Sequence, residues 1–370
     1  LRGAVNQYLG EHGVAAHDEF VDDRDGGYLA YQSYADLLLA RDDVERRTAA
    51  IEWLRNRGVD ADETGAIRFD DDDGKDAAAP LAIYTILKSA GGGSLGNGYE
   101  RAEFRPDVDA DRRLGVFNPH GKDRKDGEPE VSILRPPGAL AYADVVVGLD
   151  GTPTLEMWEL MCGRTFDHRV VLEGRRAEYV QTALNFRILP TTDAIKPYNN
   201  AEYVNDDHDA ALLEAITAHH DTKPAVISTA TALRSWDNAG VIGYDPEADD
   251  PHARITDGPA VGATYHGDVL GSNAFGDERV GAVIGSNHYG DGFVKRWGAY
   301  ADESVTRQHV DPETADRDTK PRGSDLSYGP FGDRILRHMT EHDTLQAIMR
   351  VARAAGGAPG CLHTGTPPRW

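Results

Sequence analysis

Pro224-Ala225-Val226-Ile227-Ser228-Thr229 is the stretch that decides the fold. Its short apolar run predicts a strand, and the strand ends in a pair of hydroxyl side chains. Residues 230–238 follow at once with apolar positions spaced as in a helix. A strand that passes directly into a helix is the repeating unit of parallel α/β sheets.

The same alternation extends through residues 143–364. The strand candidates are 143–149, 168–172, 186–189, 224–229, 241–243, 264–270, 280–284 and 360–364, and the helix candidates are 155–162, 208–220, 230–238, 292–301 and 330–355. This order predicts an α/β protein with a parallel sheet and helices on both faces. Ligands of such sheets bind at the carboxyl ends of the strands.

The rest of the chain has a different texture. Residues 1–138 are predicted to be helical and loop-rich, with helices at 28–40, 43–57 and 80–90 and a charged, loop-rich stretch at 97–129. Residues 139–165 hold the first predicted strand, which we expect to be buried, and the motif behind it. Residues 166–370 form the following domain.

The composition is strongly acidic. Sixty-two acidic residues stand against 39 basic ones, which leaves a formal net charge of -23. A carboxylate-covered surface keeps a protein soluble where salt screens most charge, so the composition indicates a halophilic protein, with an ordinary acidic protein as the alternative. Acidity normally argues against nucleic-acid binding, but against a halophilic background only local basic patches are informative.

Several classes of protein receive no support. Cys162 and Cys361 lie far apart, and neither they nor the histidines have the spacing of a zinc site or a disulfide framework. We therefore expect no metal held by this chain's own residues. No run of about 20 apolar residues predicts a membrane span, and Leu1-Arg2-Gly3 does not begin a signal peptide. The expected location is the cytoplasm.

The most informative motif is Gln346-Ala347-Ile348-Met349-Arg350-Val351-Ala352-Arg353. Gln346, Arg350 and Arg353 lie on one stripe of a helix. Phosphoryl transfer needs positive donors at the γ-phosphate, and an arginine from a neighbouring domain can supply them. The spacing resembles that of the last helicase motif, Gln-x-x-x-Arg-x-x-Arg, and this resemblance implies that the three are catalytic residues and that both arginines bind nucleotide. A solvated face of an amphipathic helix is the alternative.

A second motif follows the first predicted strand: Asp150-Gly151-Thr152-Pro153-Thr154. The stretch resembles, in a loose variant, the Ser/Thr-Ala-Thr motif that superfamily-2 helicases place after a strand. This resemblance implies that Asp150 and Thr152 lie on the nucleotide side and that Thr154 contacts nucleic acid. A plain turn with Thr154 as helix N-cap is the alternative. A phosphatase of the haloacid-dehalogenase type would need an aspartate nucleophile at position 148, which is Gly148.

Two further strand ends carry polar groups suited to a phosphate backbone. Hydroxyl, amide and glycine N–H groups can contact phosphates without sequence preference. On this basis the predicted nucleic-acid contacts are Ser228, Thr229, Gly271, Ser272 and Asn273. A polar strand end without any ligand is the alternative.

Taken in order, these motifs resemble the C-terminal half of superfamily-2 (DEAD/DEAH-like) helicases. The stretches 280–297 and 342–370 look like the C-terminal part of helicase-like proteins of haloarchaea. The resemblance implies that 139–165 ends a first RecA-like domain and that 166–370 is a second RecA-like domain with a P-loop NTPase fold. It also implies ATP and Mg as cofactors and nucleic acid, DNA rather than RNA, as partner.

The departures from that family are equally informative. The sequence contains no Gly-Lys-Ser or Gly-Lys-Thr, since Gly74-Lys75 precedes Asp76 and Gly121-Lys122 precedes Asp123. It also lacks an Asp-Glu-x-His magnesium motif. ATP and Mg would therefore be bound mainly by a P-loop half missing here, supplied in cis or in trans. We expect this sequence to be a fragment, one half of a pair, or a decayed relative of the family. The alternatives are a non-catalytic nucleic-acid-binding or assembly module of helicase shape, and an unrelated α/β hydrolase.

Overall fold

The computed structural model describes residues 1–12, 32–56, 79–90, 95, 98–104, 113–120, 127–134, 136–137, 140, 143–269, 272–311, 320–321, 323–351 and 359–365. The chain forms two compact units. Unit 1 comprises residues 1–148, 155–166 and 292–306, and unit 2 comprises residues 149–154, 167–291 and 307–370. Within the described ranges, every helix is too short or too polar to cross a membrane.

Unit 1 is organised around a helix that is apolar on all sides. This helix, α4 (Ala79–Ser89), is buried along nearly its whole length, as a helix without a polar face must be. Helices α1 (Arg2–His12), α2 (Tyr34–Asp42) and α3 (Val44–Asn56) pack against it. Leu9, Leu37, Leu54 and Ile86 fill the core between them. The helices predicted in this region are confirmed, with shifted ends.

A three-stranded antiparallel sheet completes the core of unit 1. Its strands are β1 (Glu100–Phe104), β2 (Arg113–Asn118) and β3 (Glu130–Leu134), in that spatial order. The prediction of a loop-rich stretch at 97–129 is wrong for β1 and β2. Ala102 opposes Gly115 and Val116 opposes Arg101 across the sheet. Ala102 and Val116 are both buried, while their charged neighbours hide the strand signal. Unit 1 also contains α5 (Leu155–Cys162).

Two predicted strands are absent. Residues 143–149 form neither helix nor strand, and Val145 and Val147 are each 76% exposed while Leu149 is 90% exposed. Residues 168–172 are likewise irregular, and Val171 is 92% exposed. An apolar run forms a strand only when a neighbouring strand accepts its backbone hydrogen bonds, and no described strand pairs with either segment. The buried strand predicted at the start of 139–165 is therefore wrong.

Unit 2 contains the remaining elements. They are α6 (Arg176–Glu178), β4 (Arg187–Pro190), α7 (Asp206–His220), β5 (Ala225–Ser228), α8 (Ala230–Asn238), β6 (Gly243–Tyr244), β7 (Ile255–Asp257), β8 (Gly262–Tyr265), β9 (Gly281–Ile284), the first residue of α9 (Asp291–Ala301), β10 (Gln308–His309), β11 (Leu326–Ser327), α10 (Gly329–Arg337), α11 (Asp343–Ile348) and β12 (Pro359–His363).

Five of these strands form one sheet in the order β4-β12-β9-β5-β8, and every pairing is parallel. Opposite faces of the sheet are covered by different helices, because successive residues of a strand point to opposite sides. Val226 packs with Leu213 of α7 and Trp236 of α8, whereas Ile227 packs with Leu345 and Ile348 of α11. The predicted α/β class with an all-parallel sheet and helices on both faces is confirmed.

Two predicted elements of unit 2 change character. Residues 241–243 do not join the parallel sheet, because β6 pairs antiparallel with β7 alone. The long helix predicted at 330–355 is divided: α10 passes into a π-helical turn at His338–His342, and α11 ends at Ile348. Residues 352–358 lie outside the described part of the chain.

Candidate functional site

Polar loops collect where the parallel strands of unit 2 end. Thr229 follows β5, Ser286 and Asn287 follow β9, and Thr191 follows β4. Because parallel strands end at a common edge of the sheet, these loops lie along one edge. This edge is the candidate functional site, and α11 and the segment 149–154 supply further side chains to it.

Thr152 and Gln346 are joined directly although they are far apart in sequence. Gln346 Nε2 donates a hydrogen bond to Thr152 Oγ1 at 2.8 Å. Thr152 is buried, and its backbone N–H donates to Asp150 Oδ1 at 2.8 Å, which folds 150–152 into a tight polar turn. The structure thus brings together three of the residues predicted to lie near the nucleotide.

Thr154 is also buried, and its hydroxyl shares a hydrogen bond with His338 Nδ1 at 3.1 Å. The side chain predicted to contact nucleic acid is therefore engaged within the protein. His338 opens the π-helical turn, so this bond fixes the segment 149–154 to the helix that carries Gln346.

Arg350 is half-buried, and its Nη1 atom donates to the carbonyl oxygen of Ser272 at 3.2 Å. The arginine therefore holds the loop behind β8. The predicted sites at Arg353 and Gly271 fall outside the described residues. Of the neighbouring pair, Ser272 is half-buried and its hydroxyl accepts from the Ala274 N–H at 3.3 Å, whereas Asn273 is exposed.

Asp343, which the motif analysis did not select, ties α11 to the loop behind β9. Its Oδ2 atom accepts a hydrogen bond from Asn287 Nδ2 at 2.9 Å and another from Tyr289 Oη at 3.1 Å. Burial raises the pKa of the Asp343 carboxyl, while the hydrogen bond from Asn287 and the charge of His338 act in the opposite direction. The pKa of Tyr289 is raised to about 12, first by burial and then by the nearby carboxylate.

The predicted nucleic-acid contacts of Ser228 and Thr229 are corrected by the structure. Ser228 is fully buried and its hydroxyl donates to the Ile284 carbonyl at 2.7 Å, so it is not accessible to a nucleic-acid backbone. Thr229 caps α8: its Oγ1 accepts from the Ala232 N–H at 3.1 Å and donates to the Tyr198 carbonyl at 2.7 Å. Both hydroxyls form hydrogen bonds with backbone groups of the protein itself. This agrees with the alternative stated above, a polar strand end without a ligand.

A buried charge network lies on the other face of the same edge. Asp209 of α7 is fully buried, accepts hydrogen bonds from Tyr198 Oη at 2.9 Å and Trp236 Nε1 at 3.1 Å, and lies 3.6 Å from Lys196 Nζ. His363 Nε2, at the end of β12, lies 3.8 Å from the same carboxylate. Burial raises the pKa of Asp209 and lowers that of His363 to about 4.

Sequence reasoning missed this network, although one signal was available. Asp209, Leu213 and Ile216 follow the helical spacing of a buried stripe, and all three are buried. A carboxylate in line with apolar residues must find partners. Lys196, one of those partners, has a positive φ of 46°. Such a backbone conformation persists only where the surroundings hold it.

Comparisons with known proteins identify no family for this chain. No protein-family model matches the chain, and neither the curated proteins nor the solved structures contain a match. Within the described residues, no group of three or more His, Cys, Asp or Glu side chains is placed to hold a metal ion. The functional argument therefore depends on the contacts described above.

Proposed function

We propose that the chain is the C-terminal part of an ATP-dependent nucleic-acid helicase or translocase, with residues 166–370 as its second RecA-like domain. The observation that carries the proposal is the hydrogen bond between Gln346 and Thr152. It joins the two motifs that the resemblance to helicases places near a nucleotide, and Arg350 lies in the turn that follows the helix of Gln346. The five-stranded parallel sheet is compatible with a RecA-like domain.

In this proposal ATP and Mg are bound mainly by a P-loop half that this sequence lacks. Gln346 approaches the γ-phosphate from α11 and Arg350 from the turn that follows it, and the arginine compensates the charge that develops in the transition state. Arginine suits this role because its planar guanidinium keeps its charge and donates several hydrogen bonds. Single-stranded DNA is the proposed nucleic acid, and the cytoplasm is the proposed location.

The decisive assay measures ATP turnover in molar KCl, with and without single-stranded DNA. This chain alone should show no significant turnover. Joined to a P-loop domain it should hydrolyse ATP, and Arg350→Ala should lower turnover by about 10³-fold. Arg337→Ala, an exposed arginine on the preceding helix, is the matched control and should have little effect.

Binding of a labelled single-stranded oligonucleotide separates this proposal from its rival. Arg350→Ala should change the affinity far less than it changes ATP turnover, because the arginine serves the nucleotide. Oligonucleotide binding without any ATP turnover by the joined protein would favour a non-catalytic nucleic-acid-binding or assembly module. Robust turnover by this chain alone, abolished by Arg350→Ala, would contradict the division into two halves.

A further inference from the structure

Helix α11 and the turn that follows it hold three separate loops by three side chains. Asp343 binds the loop behind β9, Gln346 binds Thr152, and Arg350 binds the loop behind β8. Asp343 and Gln346 follow the i, i+3 spacing of a single helix face, and Arg350 lies in the turn behind the helix. One short helix with its following turn therefore joins the residues proposed to sense the nucleotide to two loops at the edge of the sheet.

The loop 285–290 begins and ends with a glycine in a left-handed conformation. Gly285 and Gly290 have positive φ angles of 79° and 85°, and both positions favour glycine. At Gly285 a Cβ atom would also come within 2.7 Å of the Tyr198 ring. Ser286 anchors the start of the loop through a hydrogen bond from its hydroxyl to the Ile195 carbonyl at 2.9 Å. Between these ends, Asn287 and Tyr289 both donate to Asp343.

The π-helical turn sets the register that makes this contact. In the turn the Asp343 N–H bonds to the His338 carbonyl, five residues earlier, so α11 begins with Asp343 facing the loop. Insertions of this kind occur frequently at functional sites because they reorient one helix face without ending the helix. His338 on the same turn holds Thr154, so the turn also fixes the segment that contains Thr152.

We infer that Asp343 is a positioning residue that couples the nucleotide side of α11 to the loop 285–290, and that this loop contacts nucleic acid. The coupling role depends on the proposed function; the positioning of the loop does not. Asp343 orders the loop through the donors of Asn287 and Tyr289, and displacement of Gln346 or Arg350 by a nucleotide shifts the same helix. A ligand can bias a loop only through differential contacts of this kind.

Two variants test the positioning step in the full chain. Asp343→Ala removes the acceptor, and amide hydrogen exchange in residues 286–290 should accelerate by about tenfold or more, since hydrogen bonds to charged groups are the stronger class. Asp343→Asn keeps one acceptor oxygen and should restore much of the protection. Glu214→Ala, an exposed carboxylate on α7, should leave the loop unchanged. Tyr289→Phe removes one donor without altering α11 and should accelerate exchange in the loop alone.

The affinity for a labelled single-stranded oligonucleotide tests the coupling step. Asp343→Ala should weaken binding by about tenfold, and Asp343→Asn and Glu214→Ala should bind nearly as the wild type does. Equal exchange in Asp343→Ala, Tyr289→Phe and Glu214→Ala would overturn the inference, as would acceleration spread evenly over α7 and α8. If the wild-type chain binds no oligonucleotide, the proposed function fails, whereas the exchange measurements still decide the role of Asp343.

Discussion

Replacing Asp209 by Asn probes the buried network with the smallest change in shape. The carboxylate is fully buried, accepts two hydrogen bonds and lies 3.6 Å from Lys196 Nζ, whose side chain is only 14% exposed. Removing one partner of a buried ion pair leaves the other charge uncompensated and costs about 3–5 kcal/mol of the free energy of unfolding. For a unit of this size, each 1 kcal/mol corresponds to about 2–4 °C, so the melting temperature should fall by about 6 °C or more.

Thermal melts followed by circular dichroism in molar KCl provide the measurement. Asp207→Asn is the matched control, because Asp207 is exposed in the first turn of the same helix and should contribute no more than about 1 kcal/mol. Adding Lys196→Met to Asp209→Asn should recover part of the loss, since the uncompensated ammonium disappears with it. A melting temperature for Asp209→Asn within the shift of the control, or a further loss on adding Lys196→Met, would refute the reasoning.

Three further predictions follow from the same contacts. Burial lowers the pKa of His266 from 6.5 to about 4, so between these pH values the unfolded chain binds a proton that the folded chain does not. The free energy of unfolding should therefore fall as the pH drops from 6.5 towards 4, by on the order of 3 kcal/mol for this residue. His266→Phe should reduce this pH dependence in thermal melts, and an unchanged pH dependence would contradict the assignment. In a double-mutant cycle, Thr152→Val and Gln346→Leu should show a coupling energy of about 1 kcal/mol, measured by chemical denaturation, whereas strict additivity would show that their hydrogen bond contributes nothing. Because the formal net charge is -23, moving the chain from molar salt to dilute buffer should lower its melting temperature through carboxylate repulsion, and equal melting temperatures in both would contradict the halophilic interpretation.

The elements that sequence reasoning placed correctly carry their information locally. Helix α8 begins after Thr229 and ends at Asn238 as predicted, because an N-capping hydroxyl precedes an amphipathic stretch. Strands β5 and β9 are short apolar runs buried on both faces, and such runs differ sharply from their polar flanks. For these elements the local sequence is enough to predict where each one begins and ends.

The errors arise where contacts with distant parts of the chain determine the local structure. Residues 143–149 look like a buried strand, yet strand formation needs a neighbour and no described strand pairs with them. From the sequence, the hydroxyls of Ser228 and Thr229 look available for a ligand. In the structure they donate hydrogen bonds to the carbonyls of Ile284 and Tyr198. Whether a polar side chain serves the fold or a ligand depends on groups far away in the chain, which periodicity does not reveal.

The π-helical turn is a further feature beyond the reach of periodicity. The stretch 330–355 reads as one helix, and a regular helix would give Asp343 a different face from the one that meets Asn287 and Tyr289. One inserted residue changes the register of everything behind it, including Gln346. The spacing within the Gln346 motif could therefore be predicted from the sequence. The neighbouring groups that its side chains contact could not.

The two polar networks of unit 2 meet along the edge of the sheet. Tyr198 donates to Asp209, and the adjacent Asn199 donates through Nδ2 to Asn287 Oδ1 at 3.5 Å and accepts from the His288 N–H at 3.0 Å. Asn287 in turn donates to Asp343. Hydrogen bonds on either side of the adjacent residues Tyr198 and Asn199 thus connect α7 on one face to α11 on the other. Because each donor in such a series is oriented by the next acceptor, the loop 285–290 is held from both sides, and a shift of α11 must change both sets of bonds.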